Sequence, residues 1–346
     1  MADPGAREVA LDPGWLPHTY DVGGSMLTFV QVPRASRAQL MFLSDEHLKT
    51  DFPKLAFSAS DVAAAAREAR QAPLHFIFHT ALCGSTLMLK ALEIAGRSQG
   101  LKEPDVLINL ANRLIRSDDL ANRERLHLVL RLLARPFDQG EVTIVKPSNF
   151  ANRLALPALQ SRADSRAVLL YSDVGTLLRS ILRRGMWGRI WGRKLFRSAA
   201  NWTSLDFGYS EEEIFQLTDL QALGLGWLMQ MHEFAQLARH LGERVLIINS
   251  SDFLADPAAT ISDIARLFEL GLDEKSIAEI TRGPIFRHHS KFTDQEYGPD
   301  QRATDQNAAE AANRDEVEMV VKWVETVAAH MNVDLDPAST FLERAL

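Results

Sequence analysis

The sequence predicts an α/β protein whose core is a parallel sheet of about five strands flanked by helices. From residue 73 onward, short apolar runs of strand length alternate with longer helical patterns. The apolar runs are nearly continuous, which is typical of parallel strands that are covered on both faces. The chain has 346 residues, 46% of them hydrophobic and 24% charged, which is enough for one large domain or for two.

Four apolar runs supply the predicted strands, and helical patterns separate them. The strands are expected at 74–78, 142–145, 168–171 and 245–248, with helices near 86–95, 105–135, 174–184 and 218–241. We assign residues 73–346 to one α/β domain that ends in a helical segment at 303–346. Residues 1–72 are expected to form an N-terminal extension with small strands at 26–32 and 39–43. A helix in this extension is expected from Ser60 to near Gln71.

Charge and cysteine content exclude several classes of protein. The formal net charge is −7, so no global basic field would attract a nucleic acid, and an anionic ligand needs a local basic site. A single cysteine permits no internal disulfide bond. The N-terminus has neither a basic-then-apolar signal pattern nor an apolar run of membrane-spanning length. A reducing cytoplasm is the expected location.

The most informative motif follows the first of these strands. The chain runs from that strand through Cys83-Gly84-Ser85-Thr86 directly into an amphipathic helix. A glycine turn that opens a helix directs backbone N–H groups and the positive end of the helix dipole toward one point, which suits a phosphate or a sulfate. The Walker A pattern does not fit, because it needs glycine at His79 and lysine at Ser85.

The loop resembles that of the sulfotransferase family, in which a [KR]-S-G-[TS]-T-[WL] segment holds the 5'-phosphate end of the sulfonate donor PAPS (3'-phosphoadenosine 5'-phosphosulfate). The last five positions of this pattern fall on Cys83, Gly84, Ser85, Thr86 and Leu87, while Leu82 stands at the basic position. The resemblance extends over about residues 73–295. It implies a three-layer fold similar to P-loop nucleoside triphosphate hydrolases, with these five residues as donor-binding residues.

Two further residues gain roles from this resemblance. The segment from Gly84 to Glu103 is similar to the start of the protein-tyrosine sulfotransferases, which carry an acidic residue at the position of Glu103. This implies that Glu103 is the general base for the acceptor hydroxyl; the alternative is an exposed glutamate before a helix. Lys146 ends a strand where bacterial members carry Lys-Thr-Pro or Lys-Thr-His. This implies a cation that stabilises the leaving phosphate; the alternative is a lysine that points into solvent.

The segment after the third strand departs from the family pattern. In the family, an Arg and a Ser eight residues later bind the 3'-phosphate of PAPS; here Ser180 matches the Ser, and Ser172 replaces the Arg. We expect Ser172 and Ser180 to contact the donor. Arg184, with Arg183 beside it, is expected to compensate for the missing charge on the same helix face, or else to face solvent. The donor contacts implied for a closing basic loop are Arg287 and Lys291.

A basic and aromatic insertion is expected at 185–213. It carries Arg and Lys residues interleaved with Trp187, Trp191 and Trp202. It is predicted to be a lid over the nucleotide, an acceptor-recognition element or a partly buried insertion. Contact of residues 183–202 with a membrane surface is an alternative that we do not favour. The glycines at 185, 188 and 192 favour a mobile segment over a rigid helix.

The resulting functional hypothesis is transfer of a sulfonate group from PAPS to a hydroxyl or amine acceptor, with no metal. Two alternatives stay open: a non-catalytic nucleotide-binding or scaffold protein on the same fold, and a divergent P-loop phosphotransferase. Cys83 is expected to be structural because it is nearly isosteric with the family's Ser. His79 is expected to pack beneath the loop.

Overall fold

The computed structural model describes residues 3–48, 52–286 and 299–340, and the side chains of 299–312 are outside this description. Its strands, in chain order, are β1 (Trp15–Tyr20), β2 (Met26–Gln31), β3 (Lys54–Ser58), β4 (Leu74–His79), β5 (Ser98–Lys102), β6 (Val142–Lys146), β7 (Ala167–Tyr171) and β8 (Val245–Asn249). Strands β1, β2 and β3 form an antiparallel sheet. The other five form a parallel sheet with the order β5-β6-β4-β7-β8. The predicted α/β class and the number of core strands are confirmed.

Helices flank this sheet. In chain order they are α1 (Ala6–Leu11), α2 (Arg34–Gln39), α3 (Asp45–Leu48), α4 (Ala59–Ala66), α5 (Ser85–Ala91), α6 (Asp105–Arg116), α7 (Leu120–Leu133), α8 (Ala155–Ser161), α9 (Val174–Leu182), α10 (Gly185–Ala200), α11 (Glu211–Gln216), α12 (Asp219–Leu241), α13 (Ser250–Ala255), α14 (Pro257–Leu267), α15 (Glu274–Arg282) and α16 (Pro299–Met331). Short 3₁₀ helices lie at Asn149–Leu154, Gly242–Arg244 and Pro284–Phe286. No helix in the described ranges has the length and apolar character that crossing a membrane requires.

Two predicted elements of the N-terminal region differ from the structure. The strand predicted at 39–43 is absent, because Gln39 is the last residue of α2, and residues 40–43 lie outside any helix or strand. One backbone bond, from Leu43 N to Lys102 O at 2.7 Å, is all that links Leu43 to the β5 backbone in the described structure. The predicted helix near Ser60 begins one residue earlier and ends at Ala66, well before Gln71.

Strand β5 was absent from the sequence prediction. Its residues are Ser-Gln-Gly-Leu-Lys, which do not form an apolar run, yet all five are buried. Gln99 satisfies its amide internally by donating to Arg135 O and to Thr143 Oγ1, each at 2.9 Å. Strand β5 pairs in parallel with β6, with Lys102 opposite Lys146.

The described chain divides into two compact units. The first takes its residues from Met1–Phe78, Met88–Ala167 and Phe268–Gly271. Arg135, buried just after α7, ties the N-terminal segment into this unit by donating to the carbonyls of Val9, Ala10 and Asp12 at 2.8–2.9 Å. Burial lowers the pKa of Arg135 to about 9. The predicted boundary after residue 72 stays a prediction.

The second unit takes its residues from His79–Leu87, Val168–Leu267 and Leu272–Leu346. Its centre is α12, which begins with a capping box between Thr218 and Gln221. Helices α9, α10 and α16 pack against α12. Trp227 of α12 is fully buried and donates its Nε1 hydrogen to Ser172 O at 2.9 Å. This bond fixes the segment that follows β7 to the helix.

The expected mobile insertion is instead helical. Residues 185–200 form α10, and its glycines are needed for packing. A Cβ atom at Gly188 would lie 2.3 Å from Ile181 O, and one at Gly192 would lie 3.1 Å from Leu223 Cβ. The prediction from the glycines was therefore wrong, because their lack of a side chain permits close approach of α10 to its neighbours.

Candidate active site

The loop after β4 has an unusual backbone. Ala81, Leu82 and Gly84 have φ angles of 78°, 53° and 84°, so that three of four consecutive residues lie in the left-handed region. Two bonds hold the start of this loop: Thr80 N donates to Leu170 O, and Ala81 N donates to His79 Nδ1, both at 3.1 Å. Non-glycine residues adopt this region only when their surroundings enforce it, and such backbone is concentrated at ligand-binding sites.

The five residues of the predicted phosphate loop continue into α5. Ser85, Thr86 and Leu87 form its first turn and are buried. Because they begin the helix, their N–H groups have no carbonyl of their own helix to bond. Gly84 is half-buried. Successive N–H groups in a left-handed turn form a concavity that suits an anion.

Cys83 lies at the base of this loop. The side chain is buried, and its Sγ lies 3.6 Å from Leu170 O, to which it donates. A buried thiol with a carbonyl partner is a structural group. His79 is also buried and accepts from the loop backbone, in agreement with a packing role.

Two buried hydroxyl groups in the second unit have no hydrogen-bond partner in the described structure. They are Thr80 Oγ1 and Ser172 Oγ, which stand at the ends of β4 and β7, and both residues are 0% exposed. A buried hydroxyl without a partner loses about 1–3 kcal/mol of solvation. Both are therefore expected to gain a bond when a polar ligand or water binds. Thr80 did not appear among the predicted site residues, since a hydroxyl that ends an apolar strand is a weak sequence signal.

The predicted 3'-phosphate residues occupy α9 and its continuation. Asp173 caps α9 through a 2.8 Å bond from Thr176 N. Ser180 is buried, and its Oγ accepts from Arg183 Nη2 at 3.1 Å. Arg184 instead stacks over the ring of Trp187, with 5.5 Å from Cζ to the centroid, and burial lowers its pKa. Of the two arginines, Arg183 is the one that contacts Ser180.

In the first unit, the two predicted catalytic residues contact each other. Lys146 Nζ donates to Glu103 Oε1, and Glu103 N donates to Lys146 O at 2.7 Å. Lys146 is 0% exposed, whereas the Glu103 side chain is 20% exposed. Glu103 adopts a left-handed φ of 51°, which turns the chain just after β5. The strand ends of β5 and β6 therefore hold a buried ammonium next to a carboxylate with partial access to solvent.

An aromatic ring and further charged side chains lie near this pair. The Phe42 ring lies 5.3 Å from Lys146 Nζ, within range of a cation–π contact. Lys102 is also fully buried; its Nζ donates to Ala38 O at 3.2 Å, and burial lowers its pKa. Glu93 lies 3.9 Å from Lys102 Nζ, and burial raises the pKa of this carboxyl. Neither Phe42 nor Lys102 was among the site residues predicted from the sequence.

Two predicted residues, Arg287 and Lys291, lie outside the described residues. A separate cluster in the first unit brings together His18, Asp45 and Asp105. Lys54 Nζ already lies 2.6 Å from Asp45 Oδ1 and 3.4 Å from His18 Nε2. The Lys54 ammonium group therefore already contacts two of the three side chains that could hold a metal ion.

No protein-family model and no curated protein matches this chain. Solved structures to which this chain is similar include the sulfotransferase domain of the curacin biosynthetic pathway, at 12% identity and a TM-score of 0.41, covering 77% of this chain and 99% of that one. The sulfotransferase domain of the Synechococcus PCC 7002 olefin synthase is 14% identical, with a TM-score of 0.37 over 70% of this chain and 95% of that one. A sulfotransferase from Alicyclobacillus acidocaldarius is 17% identical, with a TM-score of 0.35 over 70% of this chain and 96% of that one.

Proposed function

We propose that this chain is a sulfotransferase that transfers a sulfonate group from PAPS to a hydroxyl or amine acceptor. The observation that carries the proposal is the direct contact between Lys146 and Glu103. The two residues are 43 positions apart and come from the ends of different strands, β6 and β5. The sequence resemblance assigned them complementary roles in one reaction, and such roles require that the two groups lie close together.

The chemistry of this pair suits a group transfer. As the acceptor oxygen forms its bond to sulfur, Glu103 accepts the acceptor proton. The bond between sulfur and the bridging phosphate oxygen breaks, its electron pair stays on that oxygen, and the Lys146 ammonium stabilises the charge that develops there. Burial strengthens this stabilisation because little water screens the ammonium. The partial exposure of Glu103 leaves one side of its carboxylate accessible to an acceptor.

The second unit supplies the groups that we assign to the donor. Residues Cys83 to Leu87 would hold the 5'-phosphate through backbone N–H groups and the hydroxyls of Ser85 and Thr86. The buried Thr80 and Ser172 hydroxyls fit a polar ligand in this region, because each lacks a partner in the described structure. Ser172, Ser180 and Arg184, together with Arg287 and Lys291, remain proposed contacts to the 3'-phosphate. A cytoplasmic location belongs to the same proposal.

The test combines nucleotide binding with transfer from labelled PAPS. Calorimetric titration with PAP, the desulfonated product, is compared with titration with ATP and Mg²⁺. We expect PAP to bind and ATP not to bind. Binding of ATP with Mg²⁺ alone would indicate a phosphotransferase, and binding of neither nucleotide would indicate a scaffold.

Variants at the pair then test catalysis. Glu103→Gln is nearly isosteric, so PAP binding is expected to persist while transfer to a panel of hydroxyl and amine acceptors falls about 100-fold or more. Lys146→Met is expected to lower both binding and transfer. The matched controls are Glu279→Gln and Lys275→Met, an exposed pair on α15. The proposal fails if wild type and Lys146→Met bind PAP with equal affinity and no acceptor is sulfonated.

A further inference from the structure

Exposed apolar side chains of the second unit are concentrated on two neighbouring helices. Ten large apolar residues are exposed in the described part of the chain, and half of them belong to α10 or α11. Those on α10 are Met186, Trp187 and Ile190, exposed by 70%, 60% and 49%. Those on α11 are Ile214 and Phe215, the latter exposed by 82%. Contiguous exposed apolar groups typically mark an interaction surface.

The outward face of α10 is also cationic. Its buried face contains Gly188, Gly192 and Leu195. At 100° per residue, the opposite face carries Met186, Ile190, Lys194 and Arg197. Both cations are exposed, and neither forms an ion pair within the described residues. We call this set, with Trp187, the basic face.

The α11 segment carries the opposite charge. Glu211, Glu212 and Glu213 precede Ile214 and Phe215, and all five are exposed. Glu213 is already used, because its carboxylate accepts from Ser210 N at 2.8 Å and completes a capping box. Glu211 and Glu212, the latter accepting a 3.4 Å bond from Gln216 Nε2, are thus the acids that can face a partner. We call the segment from Glu211 to Phe215 the acidic tip.

The segments that carry the basic face and the acidic tip contact each other, on the same unit, at residues next to these two surfaces. Arg193 of α10 donates to Leu217 O at 2.6 Å, one residue beyond the end of α11, and also pairs with Asp219. Both surfaces nevertheless remain exposed, so they do not cover each other within one molecule. Two adjacent patches of opposite charge, each with an apolar centre, are self-complementary under a two-fold rotation.

We propose that a second copy of this chain covers these surfaces, with the acidic tip of each molecule on the basic face of the other. Phe215 of one molecule would pack among Met186, Trp187 and Ile190 of its partner, while Glu211 and Glu212 would face Lys194 and Arg197. The geometry favours this occupant over an anionic membrane, since the adjacent acidic tip would be repelled by anionic lipid. The inference is independent of the proposed sulfonate transfer.

Sedimentation analysis of the full chain, at fixed salt over a range of concentrations, tests this dimer. We expect a monomer–dimer equilibrium for wild type. Lys194→Glu with Arg197→Glu places like charges in contact, so the dimer dissociation constant should rise about tenfold or more. Glu211→Lys with Glu212→Lys should have the same effect. Phe215→Ser should also weaken the dimer, whereas the control Leu120→Ser, at an exposed leucine on α7, should not.

Mixing the two charge-reversed proteins provides the decisive measurement. In a mixed dimer, both contacts pair opposite charges again, so two proteins that are each monomeric should dimerise when combined. A monomeric wild type at every concentration overturns the proposal, as does a dimer that is insensitive to these substitutions. Binding to anionic vesicles without dimer formation also overturns it, and assigns the basic face to lipid.

Discussion

At the residue scale, the loop after β4 carries an apolar residue, Leu82, at the position where the sulfotransferase-like pattern has a basic one. Leu82 is half-buried and left-handed, with a φ of 53°, and it stands at the basic position of the sulfotransferase-like pattern. Lysine has an unbranched Cβ like leucine, so the same backbone can accept it. A lysine at 82 would retain solvent access and add a charge-assisted hydrogen bond to an anion held by the loop.

Leu82→Lys is therefore expected to increase the affinity for PAP about tenfold, since one hydrogen bond to a charged group contributes roughly 1.5 kcal/mol or more. Calorimetric titration at constant salt measures the change. Leu82→Met is the matched control, because it keeps the length of the side chain without the charge and should bind like wild type. Equal affinities for the two variants would mean that the loop does not hold the nucleotide's phosphates.

At the element scale, α10 shows why glycine content misleads a prediction of mobility. Three glycines in eight residues lower the intrinsic helix propensity. At two of them, Gly188 and Gly192, the helix lies so close to its neighbours that a methyl group would overlap or crowd them. Packing against α9 and α12 overrides the propensity, and this close approach is invisible in one sequence.

The sign of the stability change on replacing Gly188 distinguishes helix propensity from packing. In an isolated or exposed helix, glycine to alanine stabilises by about 1 kcal/mol. Gly188→Ala should instead lower the free energy of unfolding by about 1–3 kcal/mol, because the added Cβ would meet the backbone oxygen of Ile181, which cannot rotate away. Urea denaturation measures this change in the free energy of unfolding. A stabilised variant would show that α10 is not held in this position in solution.

The core strands that were predicted correctly share one property. Strands β4, β6, β7 and β8 are short apolar runs, so their strand character is evident from the residues themselves, although β8, at the sheet edge, is only partly buried. Strand β5 and its Lys102 were not predictable in this way, because their burial depends on partners that lie far away in the chain. The same reason explains why Glu103 and Lys146 were proposed separately and why their direct contact was not predicted.

At the scale of the whole molecule, buried polar groups form hydrogen bonds with residues that lie far away in the chain. Tyr171, fully buried in β7, donates its hydroxyl to Asp336, and the same oxygen accepts from Ala338 N at 3.4 Å. Burial is the main cause of the raised pKa of Tyr171. Asp336 also accepts from Ser339 Oγ at 2.6 Å. The segment after α16 is thereby attached to the core of the second unit.

A double-mutant cycle measures this attachment. Asp336→Ala should destabilise by about 1–3 kcal/mol, since it leaves a buried hydroxyl without its acceptor. Tyr171→Phe removes the hydroxyl and should cost about 1–2 kcal/mol. The double variant should cost clearly less than the sum, because the two changes remove one shared interaction. Additive losses, measured by urea denaturation, would mean that the bond contributes nothing to stability.

The paired lysines of β5 and β6 have a consequence for chemical reactivity. Lys102 and Lys146 are opposite one another, fully buried, and each has its ammonium bound to an oxygen of the protein. An acylating reagent requires a neutral, accessible amine, so it should modify exposed lysines such as Lys275 first and these two only when the strands separate. The extent of labelling at residues 102 and 146 therefore measures how often the first unit opens.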